Sequence, residues 1–238
     1  MIYRRKRCTI ALCLSILFTG YLFVSWNYGY RLLSGGNSVE FIVSYVSSLS
    51  LYGGLYKVYT IYTLFFIIMI LIIMEKCNTQ NITKGTRVGY INKLTIQILF
   101  LAILISFLFN LIELLCIHQH FTIKMLQDVF YYFAQFLDFL HFIFCFFILG
   151  QIFILLYVIT QKLWVSAFLV IVFGIGIMFL NYPLLFYQVD VFQNLYGTYS
   201  DHLLHFDNWC WMMIRFGIVS FMLYEVSKKI FQRRSLLK

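Results

Sequence analysis

Asp138 and His141 stand three residues apart inside a long apolar run. On a helix they share one face, where a carboxylate can orient an imidazole or exchange a proton with it. Placing charge at the centre of a lipid-embedded helix costs about 2.5–3.5 kcal/mol on insertion scales, so each such residue needs a reason. Asn110 and Glu113 repeat the same spacing in the preceding apolar run, Gln135 and Gln151 add amides around Asp138, and Arg215 lies in the last run. Arg215 is the natural counter-charge for Glu113 or Asp138, and a structural ion pair is expected there rather than a substrate site. Asp138 and His141 leave the reading open between a proton relay, a helix-packing pair and a face on an aqueous path. Asp201, His202, His205 and Asp207 form the most metal-like cluster, yet zinc sites use three or four fixed ligands and His-Leu-Leu-His is no established pattern. An outer polar cap is expected there, without metal. Neither a Gly-x-Ser-x-Gly elbow nor a His-Glu-x-x-His pattern occurs, so the sequence points to no catalytic residue and no directly bound cofactor.

The elements that must position these residues follow from hydropathy and charge. The 238 residues are 62% hydrophobic and 11% charged, too few polar groups to coat a water-soluble globule. The 18 Lys and Arg fall mostly into clusters: Arg4 to Arg7, Lys76 to Lys93, Lys162, and Lys228 to Lys238. Pairs of apolar runs separate them. If each cluster marks a cytoplasmic segment, the fold is an all-α integral membrane domain of six spans with both ends inside. At about 20 residues per crossing, the spans fall near 8–28, 57–75, 94–117, 131–158, 163–182 and 209–227. The run from Cys8 to Trp26 reads as a retained first helix rather than a cleaved signal. The outer segment 183–208, with Pro183 and mixed aromatics and acids, reads as partly buried. The net charge of +9 sits at span ends, where it meets anionic lipid headgroups, and no nucleic-acid partner is expected. Six cysteines form no paired framework, and a bond between Cys116 and Cys210 is only geometrically conceivable.

Between the second and third runs, 76–93 is the longest expected inner loop. Asn78, Thr79 and Asn81 can cap a short helix, and Gly85 and Gly89 permit close backbone approach. From about Leu51 to Leu115 the chain resembles permease subunits of the ABC-2 type, the membrane halves of ATP-binding-cassette exporters, centred on Lys84-Gly85-Thr86-Arg87-Val88-Gly89-Tyr90-Ile91-Asn92-Lys93-Leu94. Thr86 stands where that family often has Ser, and Val88 and Gly89 replace its usual basic residues. The resemblance implies that 78–92 is a coupling segment fitting a cleft on a separate ATPase subunit. Lys84, Gly85, Thr86, Arg87 and Tyr90 are its coupling candidates. It also implies a second permease, identical or related, ATP and magnesium on the partner subunit alone, and a bacterial plasma-membrane location. The implied cargo is an amphipathic peptide or lipid-like molecule, as in bacteriocin export or self-protection. The chain has no Gly-x-x-x-x-Gly-Lys-Ser/Thr loop with which to hold nucleotide phosphates itself. Two further readings stand beside this one: a substrate-binding membrane module of a vitamin-type importer, and an intramembrane enzyme relying on Asp138, His141 or the His202 cluster.

Overall fold

The computed structural model describes residues 2–33, 57–74, 87–128, 130–180 and 206–233, and all of its elements are helices. They are α1 (Ile2–Leu33), α2 (Val58–Ile73), α3 (Arg87–Ile117), the short α4 (Ile123–Asp128), α5 (Tyr131–Thr160), α6 (Leu163–Leu180) and α7 (Phe206–Arg233). Four helices, α1, α3, α5 and α7, are long and apolar enough to cross a membrane, and α2 and α6 supply shorter apolar stretches. This is an all-helical membrane protein. Helix is the form such runs must take, because lipid offers the backbone no partners and a helix satisfies its own N–H and C=O groups.

The polar side chains of α1 obey the same logic. Ser15, Thr19 and Asn27 each donate to the carbonyl four residues earlier, Ala11, Ser15 and Phe23, at 2.8–2.9 Å. The helix can therefore face lipid without leaving these groups unmade. α3 begins at Arg87, before the start of the apolar run near 94, and includes Arg87 and Lys93 in its first two turns.

The most buried helix, α5, sits at the centre, with α3 and α7 packed most extensively on it and α6 and α2 around the rest. α1 lies outside, against α3 and α2. Two glycines set the closest approaches. A side chain at Gly150 would collide with Ile98, so α5 and α3 meet there almost backbone to side chain. At Gly174 a Cβ would stand 3.1 Å from the Tyr59 carbonyl oxygen, which lets α6 close onto α2. α2 opens with a π-helical turn, Val58–Tyr62, steadied by Thr63 Oγ1 donating to the Val58 carbonyl at 2.7 Å. α5 and α6 are joined by Gln161 and Lys162 alone. Gln161 takes the left-handed conformation (φ 58°) and its N–H caps the Tyr157 carbonyl at 2.8 Å.

Aromatic rings fill the interior. Phe18 stacks on Phe65 at 3.9 Å, Tyr62 meets Phe109 edge-on at 5.5 Å, and Phe109 leans on Phe142 at 4.4 Å. The outward faces are equally apolar, with Phe100, Trp164, Phe168 and Phe221 all exposed. An apolar exterior around an interior holding Glu113, Asp138 and His141 is the arrangement a lipid solvent selects.

Candidate functional site in the helix core

The intramembrane polar residues come together on α3 and α5. Asn110 and Glu113 share a face of α3 by their three-residue spacing, and Gln135, Asp138 and His141 do the same on α5. All five are buried, Glu113 completely. Gln135 joins the two helices: its amide nitrogen donates to Asn110 Oδ1 at 2.7 Å and lies 3.3 Å from the Asn110 carbonyl and 3.4 Å from Glu113 Oε2. Asn110 in turn donates to the Ser106 carbonyl at 2.9 Å. In sequence Gln135 is one more polar group on its span; in the structure it is the bridge, because an amide can donate to a carbonyl and a carboxylate at once.

Glu113 also lies within electrostatic reach of Tyr62 and Cys116. Beyond Tyr62, Ser25 accepts a hydrogen bond from the Lys57 ammonium at 2.6 Å and contacts both Tyr21 and Tyr62. The polar cluster thus extends across α1, α2, α3 and α5. Asp138 is in electrostatic reach of Cys145 on its own helix. His141 stacks beside Phe142 at 5.8 Å and tilts against Phe216 of α7 at 5.9 Å, while neither ring nitrogen has a hydrogen-bond partner.

Arg215 does not join this cluster. It is exposed on α7, and among the described residues it makes no ion pair with Glu113 or Asp138. The expected counter-charge is therefore wrong in its geometry. Helical phase explains why: Arg215 shares the outward stripe of Trp211, Ile218 and Met222, whereas its neighbour Phe216 turns inward. The Gln135 amide, 3.4 Å from Oε2, is one partner of Glu113.

At the Ile117 end, His118 pairs with the Tyr132 hydroxyl at 3.3 Å, and His120 stacks on Tyr30 at 3.7 Å, with Trp26 behind at 5.7 Å. Partial burial in that stack lowers the His120 pKa from 6.5. Among the described residues no three His, Cys, Asp or Glu side chains are placed to hold a metal ion. Asp201, His202 and His205 lie outside the described residues. Cys116 and Cys210 are both free thiols.

At the opposite end, Lys84, Gly85 and Thr86 and most of the 78–92 segment lie outside the described residues, whereas 87–92 form the first turns of α3. Tyr90 is half-buried and stacks on Phe231 of α7 at 5.8 Å. Tyr224 donates to Asn92 Oδ1 at 2.6 Å. α3 and α7 are thereby fastened at the Arg87 end by one stacked pair and one hydrogen bond, a contact between residues 132 apart that no local pattern marks. No family model, curated protein or solved structure matches the chain.

Proposed function

We propose that the chain is the membrane-spanning permease subunit of an ATP-driven exporter. It has six spans and both ends in the cytoplasm, and it works with a separate ATPase subunit and a second permease. ATP binds on the partner subunit, and an amphipathic peptide or lipid-like molecule is the cargo. The reading rests on the ABC-2-like run 84–94, and one structural observation carries it further: the join between α3 and α7 at Tyr90–Phe231 and Asn92–Tyr224.

An ATPase can move a membrane domain only by pressing on something rigid that continues into the spans. α3 has that property, because it is an unbroken helix from Arg87 to Ile117 and is tied to α7 within its first two turns. A push on 78–87 acts on two spans together. Both contact α5, whose polar residues line the core, so the movement reaches Gln135, Asp138 and His141. Tyr90 has an internal role here in addition to any contact with a partner.

The test is to express the chain with the genes adjacent to its own, purify it in mild detergent, and identify co-purifying subunits by mass spectrometry. A Walker-A-bearing ATPase is expected, and it should be lost when Lys84 and Arg87 are replaced by Glu. Tyr224→Phe combined with Phe231→Ala should retain the ATPase but lower cargo-stimulated hydrolysis, because both fastenings of α3 to α7 are then gone. A stable chain with no ATPase would end the proposal and favour the importer module or the enzyme.

A further inference from the structure

Between Asp207 and Glu225 the single charged residue of α7 is Arg215. Its neighbour Phe216 turns inward against His141 of α5 at 5.9 Å, and that contact sets the phase of the helix. Arg215 is thereby placed on the outer stripe, where Trp211, Ile214, Ile218, Phe221, Met222 and Val226 are all exposed and all apolar. Among the described residues its guanidinium has no ion pair, hydrogen bond or ring partner.

Depth makes that exposure costly. Six residues, about 9 Å of helix, separate Arg215 from Trp209, where the apolar stretch begins, and ten residues, about 15 Å, separate it from Glu225. With a hydrocarbon core about 30 Å thick, Arg215 stands within the lipid, in the half nearer Phe206. Phe216 against His141, and Phe142 next to it against Phe109, put this half on the same side of the bundle as Ile117. A helical side chain leans toward the N-terminus of its own helix. The guanidinium therefore reaches toward Trp211 and the Phe206 end, the shorter way out of the hydrocarbon. Trp211, 61% exposed and one turn along that path, presents an apolar ring and an indole N–H, the combination that settles at headgroup level.

Five donors in a planar fork then need an acceptor. The acids of the described spans offer none: Glu113 and Asp138 are buried, and Glu225 pairs with Lys228 at 3.3 Å. A second copy does not supply one through the same stripe. Two copies inserted the same way round and related by a two-fold axis along the membrane normal meet at equal depth, which sets Arg215 against Arg215. Lipid phosphate surrounds every span, and its oxygens match the guanidinium fork bidentately. A headgroup of net negative charge fits best, because these acids are not available to balance the cation of a zwitterionic one.

We propose that Arg215 and Trp211 form a binding site for one anionic phospholipid, with the guanidinium on its phosphate and the indole beside its headgroup. The phosphate descends to meet a charge that cannot leave the helix, so the leaflet is thinned where α7 faces it. On the proposed sidedness this is the outer leaflet.

The test uses the purified chain in mild detergent, with native mass spectrometry counting the lipids it retains. Phosphatidylglycerol and phosphatidylcholine of the same acyl chains are titrated separately, and phosphatidylglycerol should be retained at concentrations an order of magnitude lower. Arg215→Gln should hold one phosphatidylglycerol fewer. Arg215→Lys, which keeps the charge but not the fork, should hold it more weakly than the wild type. Brominated acyl chains locate the site: phosphatidylglycerol should quench tryptophan emission beyond the matched phosphatidylcholine, and that excess should fall in both Trp211→Phe and Arg215→Gln. Equal retention of the two lipids, or an unchanged count in monodisperse, helical Arg215→Gln, would overturn the proposal. So would displacement by millimolar inorganic phosphate, which would assign the site to the free anion, or a wild-type dimer that Arg215→Gln dissociates, which would give the stripe to a second copy. No ATPase enters the assay, and neither result bears on the permease reading.

Discussion

At the scale of single residues, Gln135 is the side chain on which the buried cluster turns. Its amide meets Asn110 and Glu113 together, so Gln135→Leu strips both acceptors of a donor in a place without bulk water. Losing that bridge in a buried site costs about 1–3 kcal/mol. Unfolding of the detergent-solubilised chain should show that loss, and Glu113→Leu in the Gln135→Leu background should recover part of it. His120 offers a pH test. Burial favours its neutral ring, so the contribution of the Tyr30–His120–Trp26 stack is complete above pH 6.5 and is lost as the pH falls below it. Acid titration should quench tryptophan emission in the wild type, and His120→Phe should remove the transition. Asn110, Glu113, Asp138 and His141 were legible as a group because polar residues in apolar runs need explanation. The partner of Glu113 was not, since sequence shows which charges exist but not the helical phase that turns Arg215 outward.

At the scale of elements, the helices coincide with the apolar runs, and the tight turn after Thr160 stands where Gln161 and Lys162 interrupt them. Hydropathy reports this directly, because lipid permits little besides helix. Which helices touch is a different kind of information. Nothing local marks α5 as the centre, and the two tightest approaches depend on glycines that look like any others in an apolar span. Gly150→Ala tests one of them. The new methyl meets Ile98, a β-branched side chain with little rotamer freedom on a helix, so α5 and α3 must separate. A cost of about 1–3 kcal/mol is expected. Ile98→Ala, made together with it, should restore part of the loss, and thermal denaturation in detergent reads both. The fastening of α3 to α7 was equally invisible in sequence: Tyr90 stood out only through resemblance, and Phe231 and Asn92 not at all.

At the scale of the whole molecule, the proposed sidedness sets the Arg87 end toward the cytoplasm and the Ile117 end outward. Gln119 and Gln161 are exposed in turns at opposite ends of the bundle. Gln119→Cys should therefore react with a membrane-impermeant maleimide in intact cells, and Gln161→Cys only after permeabilisation, each compared with the parent chain. Reversed labelling would invert the molecule and remove the proposed coupling surface from the cytoplasm. The two-residue connection between α5 and α6 has a further bearing, on how the protein is made. α5 carries Gln135, Asp138, His141 and Gln151, a load that makes it a reluctant lodger in lipid while the remaining helices are still unsynthesised. α6, Leu163–Leu180, carries no charged residue and follows almost at once. On the proposed six-span arrangement the translocon receives the two as a single hairpin, with α6 as the escort that keeps α5 in the bilayer until α7 arrives to cover it.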